Sequence, residues 1–135
     1  MRLEQEHDFV RGLSVNEGKL IITNLAFVTN LDNKGTLEVS GILDVADLIN
    51  SGTIVCNIGL NVERFINNGV LNINKGGATN REKWQGTGSI NILENAGLDI
   101  RVNATTSVQN INLKGTMRFN TRNPTQPPIF FPLQI

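Results

Sequence analysis

The sequence predicts an all-β, single-domain parallel β-solenoid (a β-helix) with rungs of about seventeen residues. Three observations carry this. An Asn-x-Gly corner recurs at Asn16 and Gly18, Asn33 and Gly35, Asn50 and Gly52, and Asn67 and Gly69, with glycines seventeen residues apart. Apolar columns keep the same phase: Leu20/Ile22, Leu37/Val39, Ile54/Cys56 and Leu71/Ile73, then Val28, Val45 and Val62, then Leu31, Leu48 and Phe65. Composition agrees: 13 Gly and 19 Asn make about a quarter of the 135 residues, a content that helix interiors avoid.

Each repeat reads as short strands joined by turns. Leu37-Glu38-Val39 and Leu43-Asp44-Val45 alternate apolar and polar, so alternate side chains point inward. At the corners Gly takes backbone angles that a Cβ disfavours, and positive φ is expected at some of Gly35, Gly52 and Gly69. A single copy has nothing to bury its apolar face against, so copies stack. Parallel stacking at about 4.8 Å per rung aligns like with like. Leu37, Ile54 and Leu71 then form one inner ladder, and Val28, Val45 and Val62 another. Asn33, Asn50 and Asn67 line up and hydrogen-bond amide to amide, as in cross-β stacks. A meander of antiparallel hairpins gives no reason for a constant seventeen-residue phase.

The flanks read differently. Residues 1–15 place Phe9, Val10 and Leu13 at helical spacing, which predicts a short amphipathic cap on the first rung. The solenoid is assigned to residues 16–122. Within it, residues 75–83 carry glycines and charges and read as a protruding loop closed by Trp84. Alternation resumes at residues 89–92 and 98–102, at Val108 and at residues 111–113, as two further irregular rungs. Residues 123–135 hold four prolines and read as an extended, polyproline-like arm.

Chemistry-bearing patterns are sparse. Lys75-Gly76-Gly77 lacks the rest of a phosphate loop. No Cys/His pair has metal-ligand spacing, and no cofactor is implied. Cys56 reads as a small buried hydrophobe, and His7 lies far from it in sequence. Asp44, Asp47 and Glu63 approach one another by stacking. Acids on an outer face serve carbohydrate-active solenoid enzymes, but Asp47 shares a column with Arg64, which reads as an opposite-charge ladder. Asn103-Ala104-Thr105 has the form of a glycosylation acceptor, which matters only on a secretory route. Twelve Lys plus Arg balance twelve Asp plus Glu, against binding nucleic acid or an anionic membrane by bulk charge. No apolar run has membrane-spanning length, and the opening MRLEQEHDFV is too charged for a secretory signal.

Two features read as partner contacts. Trp84, beside the charges of Arg81 and Lys83, is either a surface contact for a partner or a glycan, or a cover over apolar rung surface. Ile129, Phe130, Phe131, Leu133 and Ile135 are five large apolar residues among the last seven. They require burial, over the open end of their own solenoid or on another chain.

Gly115-Thr116-Met117-Arg118-Phe119-Asn120-Thr121 resembles a short element recurrent in bacteriophage tail-fibre and other virion appendage proteins, where it often follows a repetitive β region. There an acidic-aromatic-Gly stretch usually comes next; here Asn123-Pro124-Thr125 stands instead. The resemblance covers seven residues. It implies a β-structured, often trimeric virion component without an enzymatic role. The Asn-x-Gly repeats also look like those of secreted bacterial adhesins, and less like bactofilin filaments. The expectation is a non-enzymatic structural or attachment protein of a virion, a decoration or fibre subunit that self-associates or docks on a larger virion protein. The alternatives are an adhesin or filament-forming solenoid at a bacterial cell surface, and a carbohydrate-active β-helix enzyme.

Overall fold

The computed structural model describes residues 2–3 and 8–120. Thirteen strands follow in chain order: β1 (Arg2–Leu3), β2 (Asp8–Asn16), β3 (Lys19–Ile22), β4 (Leu25–Asn33), β5 (Thr36–Val39), β6 (Ile42–Asn50), β7 (Thr53–Cys56), β8 (Gly59–Asn67), β9 (Val70–Ile73), β10 (Gly76–Ile92), β11 (Ala96–Ile100), β12 (Thr105–Leu113) and β13 (Thr116–Phe119). Every pairing is parallel. The chain is a β-solenoid of about six turns.

The repeat shapes each turn. In β4 the inward residues are Ala26 and Val28, then Leu31 and Asn33, with Thr29 and Asn30 both outward between them. Two successive outward residues break the period-two alternation and turn the chain, so the nine-residue strands bend once. A turn therefore has three straight segments. The first face carries β3, β5, β7 and β9; the second carries residues 25–28, 42–45 and 59–62; the third carries residues 30–33, 47–50 and 64–67. Register along the axis is seventeen residues through β3 to β9, pairing Leu37 with Ile54 and Ile54 with Leu71. All three side chains are buried. Val28, Val45 and Val62 form the expected second inner wall. Truncation in this close-packed column opens a cavity, so Val45→Ala is expected to cost about 1–3 kcal/mol in urea denaturation; a value near zero would contradict the packing.

The N-terminal region departs from its expected form. Residues 8–16 form β2, a strand of the solenoid beside β4, with Phe9 opposite Phe27 and Val10 opposite Val28. They are not a helical cap. Phe9, Val10 and Leu13 do not share one column: they stand opposite Phe27, Val28 and Asn30, of which only Val28 is an inward position of β4, across an irregularity between Val10 and Leu13. The solenoid thus begins before residue 16. The arm at 123–135 lies outside the described residues.

Residues 75–83 are not a protruding loop. Gly76–Ile92 is one strand, β10, which pairs with β8, β9, β11 and β12. The extra residues are absorbed at corners. Gly59 pairs with Gly77, a step of eighteen, and Phe65 with Trp84, a step of nineteen, across an irregularity between Asn80 and Lys83. Arg81 and Glu82 lie exposed at this widened corner. Val102 also leaves the strand pattern: residues 101–104 form a turn in which Asn103 has φ 65°. A final partial rung is built by residues 110–113 and β13.

Candidate functional site

The corner asparagines form the most regular polar feature of the molecule. Asn16 Nδ2 donates to Asn33 Oδ1 at 2.7 Å, Asn33 to Asn50 at 2.9 Å and Asn50 to Asn67 at 2.9 Å. Each amide also donates to a main-chain carbonyl of the next rung: Thr36, Thr53 and Val70 in turn. Asn33, Asn50 and Asn67 are fully buried, and an unpaired amide there would cost stability. The ladder ends because Gly86 follows Asn67 in the column, and Asn67 Nδ2 donates instead to Ser89 O. These residues build the rod, and among the described residues no buried side-chain N or O atom lacks a hydrogen-bond partner.

The glycine ladder is real, but its cause differs from the one expected. Gly35, Gly52 and Gly69 do not have left-handed φ; among the described residues the glycines that do are Gly76 (φ 70°) and Gly86 (φ 129°). A Cβ on Gly35 would overlap the carbonyl oxygen of Gly18, and the same holds for Gly52 on Gly35 and Gly69 on Gly52. Rung-to-rung approach of the backbone excludes a side chain there. Gly18 has open space around it.

Trp84 is not a surface contact. It is fully buried, stacks edge-on against Phe65 at a centroid distance of 4.9 Å, and donates its indole N–H to Val62 O at 3.1 Å. It extends the inner column of Leu31, Leu48 and Phe65. The apolar side chains Ile129, Phe130, Phe131, Leu133 and Ile135 lie outside the described residues.

The stacked carboxylates meet cations rather than a groove of acids. Arg64 forks onto Asp47 one rung away, with Nη2 3.0 Å from Oδ2, and reaches Glu82 at 3.0 Å and Glu63 at 3.5 Å. Arg81 stands 3.8 Å from Asp44. The hydrogen bonds from Arg64 hold the Asp47 carboxyl below the usual carboxylate range despite some desolvation. A depressed folded-state pKa gives stability that is present above the unfolded value and lost as pH falls through the folded one. The Asp47 carboxyl is therefore expected to titrate below 3.8 by NMR, and Arg64→Gln to move its midpoint up. An unchanged midpoint would dissolve the pair.

Sequence reasoning missed two polar clusters. Asn80 occupies the inner valine column; its Nδ2 donates to Thr105 O at 2.7 Å and to Thr106 Oγ1 at 2.8 Å, and its Oδ1 accepts from Glu82 N at 3.1 Å. The insertions hid its alignment with Val62. On the outside, Asn112 donates to Asn91 and Asn91 to Asn72, at 2.6 and 2.8 Å. The recurring triplets Leu71-Asn72-Ile73, Ile90-Asn91-Ile92 and Ile111-Asn112-Leu113 were the signal for it.

Cys56 is buried as expected. Burial pushes its thiol up to about 11, and Sγ donates to Gly77 O at 3.6 Å. Among the described residues no group of three or more His, Cys, Asp or Glu is placed to hold a metal ion. Comparison with protein-family models, with curated proteins and with solved structures returned no match.

Proposed function

We propose that this chain is a non-enzymatic structural or attachment protein, a stiff solenoid segment of a virion appendage that docks through residues 123–135. The observation that carries the reading is a single parallel ladder of strands around an apolar core that runs from Leu20 to Ile111. Such a ladder resists bending because each rung is hydrogen-bonded to the next along most of its length. The element resembling virion appendage proteins supports the same reading. It supplies the last described strand, β13, on which Arg118 lies 3.6 Å from Asp99.

The arm is the attachment device in this reading. Its prolines cannot supply a regular central strand. Burying three of its five large apolar side chains is worth very roughly 5 kcal/mol before ordering costs. That suffices to anchor a subunit without being needed to fold the rod. The occupied surface belongs to a neighbouring copy or to a larger virion protein, and a surface glycan is a further class of partner.

Deletion after Arg122 tests it. The truncated chain is expected to keep a near-normal melting transition, while the full chain is expected to assemble and the truncated one not to, both read by electron microscopy and solution mass. Unfolding of the truncated monomer would make the arm a lid on its own core and end the docking reading.

A further inference from the structure

The third face of the solenoid carries an arrangement that the rod itself does not use. Its two outward columns run Asn30, Asp47, Arg64, Lys83 and Asp32, Ile49, Ile66, Gln85. Ile49 and Ile66 are 43 % and 37 % exposed, stacked on adjacent rungs in the middle of the face. Beside them the Asp47 and Arg64 side chains are each 45 % exposed. Toward the N-terminal side of this centre the long polar residues are acidic or neutral. Toward the C-terminal side Lys83 and Gln85 are basic and neutral, while Glu82 at the widened corner is acidic and already holds Arg64 at 3.0 Å.

We propose that this face is a self-association surface for a second copy of the chain, packed antiparallel about a two-fold axis lying between the rungs of Asp47 and Arg64. A two-fold parallel to the strands reverses the solenoid axis and keeps each column opposite itself. It sets Ile49 against Ile66 of the second copy, and Ile66 against Ile49, so both apolar side chains are covered twice over. In the neighbouring column Asp47 meets Arg64 of the second copy, closing a four-membered ring of alternating charge with the pair already present within each chain. One rung further out, Asp32 meets Gln85 and Asn30 meets Lys83, all four able to hydrogen-bond.

The other simple two-fold, parallel to the solenoid axis, exchanges the columns within each rung. Asp47 would then face Ile49 and Arg64 would face Ile66, so the Asp47–Arg64 pair of each chain would lose water against hydrocarbon and gain no partner on the other copy. Charge complementarity thus selects the antiparallel arrangement, whose contact is isologous and closes at two copies. This surface is separate from the arm, and the inference stands without the attachment role.

The test is sedimentation of the full chain from low micromolar concentration to its solubility limit, with circular dichroism as the control on folding. The expected species is a reversible dimer of twice 14.8 kDa. Ile49→Asp is expected to abolish it. Arg64→Asp, which sets two acids against each other across the axis, is expected to weaken it at least about tenfold. The double variant Asp47→Arg with Arg64→Asp restores the pairing of positions 47 and 64 within and between chains, while giving up the contacts of residue 64 with Glu63 and Glu82, and is expected to recover association relative to Arg64→Asp alone. A short bismaleimide is expected to link a mixture of Asp32→Cys and Gln85→Cys chains, which face each other across the axis, and neither variant with itself, since like positions are then three rungs, about 14 Å, apart along the axis. A chain monomeric at every concentration, or an oligomer that survives Ile49→Asp, would overturn the proposal; the latter result would assign association to the arm or another face.

Discussion

Trp84→Ala is expected to destabilise the protein by about 3–5 kcal/mol, the range for emptying a large aromatic site in a close-packed core, and to lower Tm by on the order of 10 °C or more. Two losses add. The cavity removes the edge-on contact with Phe65, and the Val62 carbonyl loses its indole donor inside the core. The site lies on β10, the strand that joins β8 and β9 on one side to β11 and β12 on the other. Relaxation into the cavity would disturb pairing in both directions, so little collapse is expected. Trp84→Phe keeps most of the volume and loses the hydrogen bond, a change of roughly 1–3 kcal/mol. Trp84 is the only tryptophan, so its fluorescence reports directly: blue-shifted when folded, red-shifting in urea with the global transition. Solvent-exposed emission from the native protein would place the indole outside the core.

Much of this architecture was legible because the repeat is physically over-determined. Leu37, Ile54 and Leu71 recur in phase because each must land on the one below, and Asn33, Asn50 and Asn67 recur because each amide needs the next as acceptor. A pattern enforced by stacking survives in a single sequence. The misreadings fall where one more variable enters. Phe9, Val10 and Leu13 fall at helical spacing although they belong to different columns of β2, because an irregularity between Val10 and Leu13 shifts the strand's phase. An insertion taken up at a corner shifts the phase, which concealed that Trp84 continues the column of Leu48 and Phe65. Glycine-rich charged stretches then look like loops, although Arg81 and Glu82 only widen a corner. The candidate contact at Trp84 failed for the same reason: an aromatic residue beside charges has the look of a surface anchor until its register is known. Outward columns were the least legible. Their residues answer to solvent or to partners, so the opposition of Asp47 to Arg64 was visible in sequence, while its placement beside exposed Ile49 and Ile66 needed the three-faced turn.

Gly52→Ala is expected to be among the most damaging of all single-methyl additions to this protein, costing about 4 kcal/mol or more. The cause is neither strain in φ nor the loss of flexibility that usually attends glycine. Gly52 has an ordinary φ, but its Cβ position is already occupied by the carbonyl oxygen of Gly35 and crowded by the Lys34 carbonyl group. These are backbone atoms held by hydrogen bonds, including Thr53 N to Gly35 O at 2.9 Å, so they cannot swing aside as a side chain would. Admitting a methyl group requires the rungs to part at that corner, which also strains the amide ladder from Asn33 to Asn50 beside it. Gly52→Val is worse for its added bulk. Gly59 gives the opposite case on the same rung: a Cβ there meets the Ile42 side chain, nearest at Cγ1, 3.5 Å away, an ordinary contact. Its φ is also not left-handed, so Gly59→Ala is expected to be neutral or to stabilise by about 0.4–1 kcal/mol through the unfolded chain. Urea denaturation of the two variants side by side separates the mechanisms. Equal effects at the two glycines would mean that flexibility, and not rung contact, sets the requirement, and the close-approach account of the corner would be wrong.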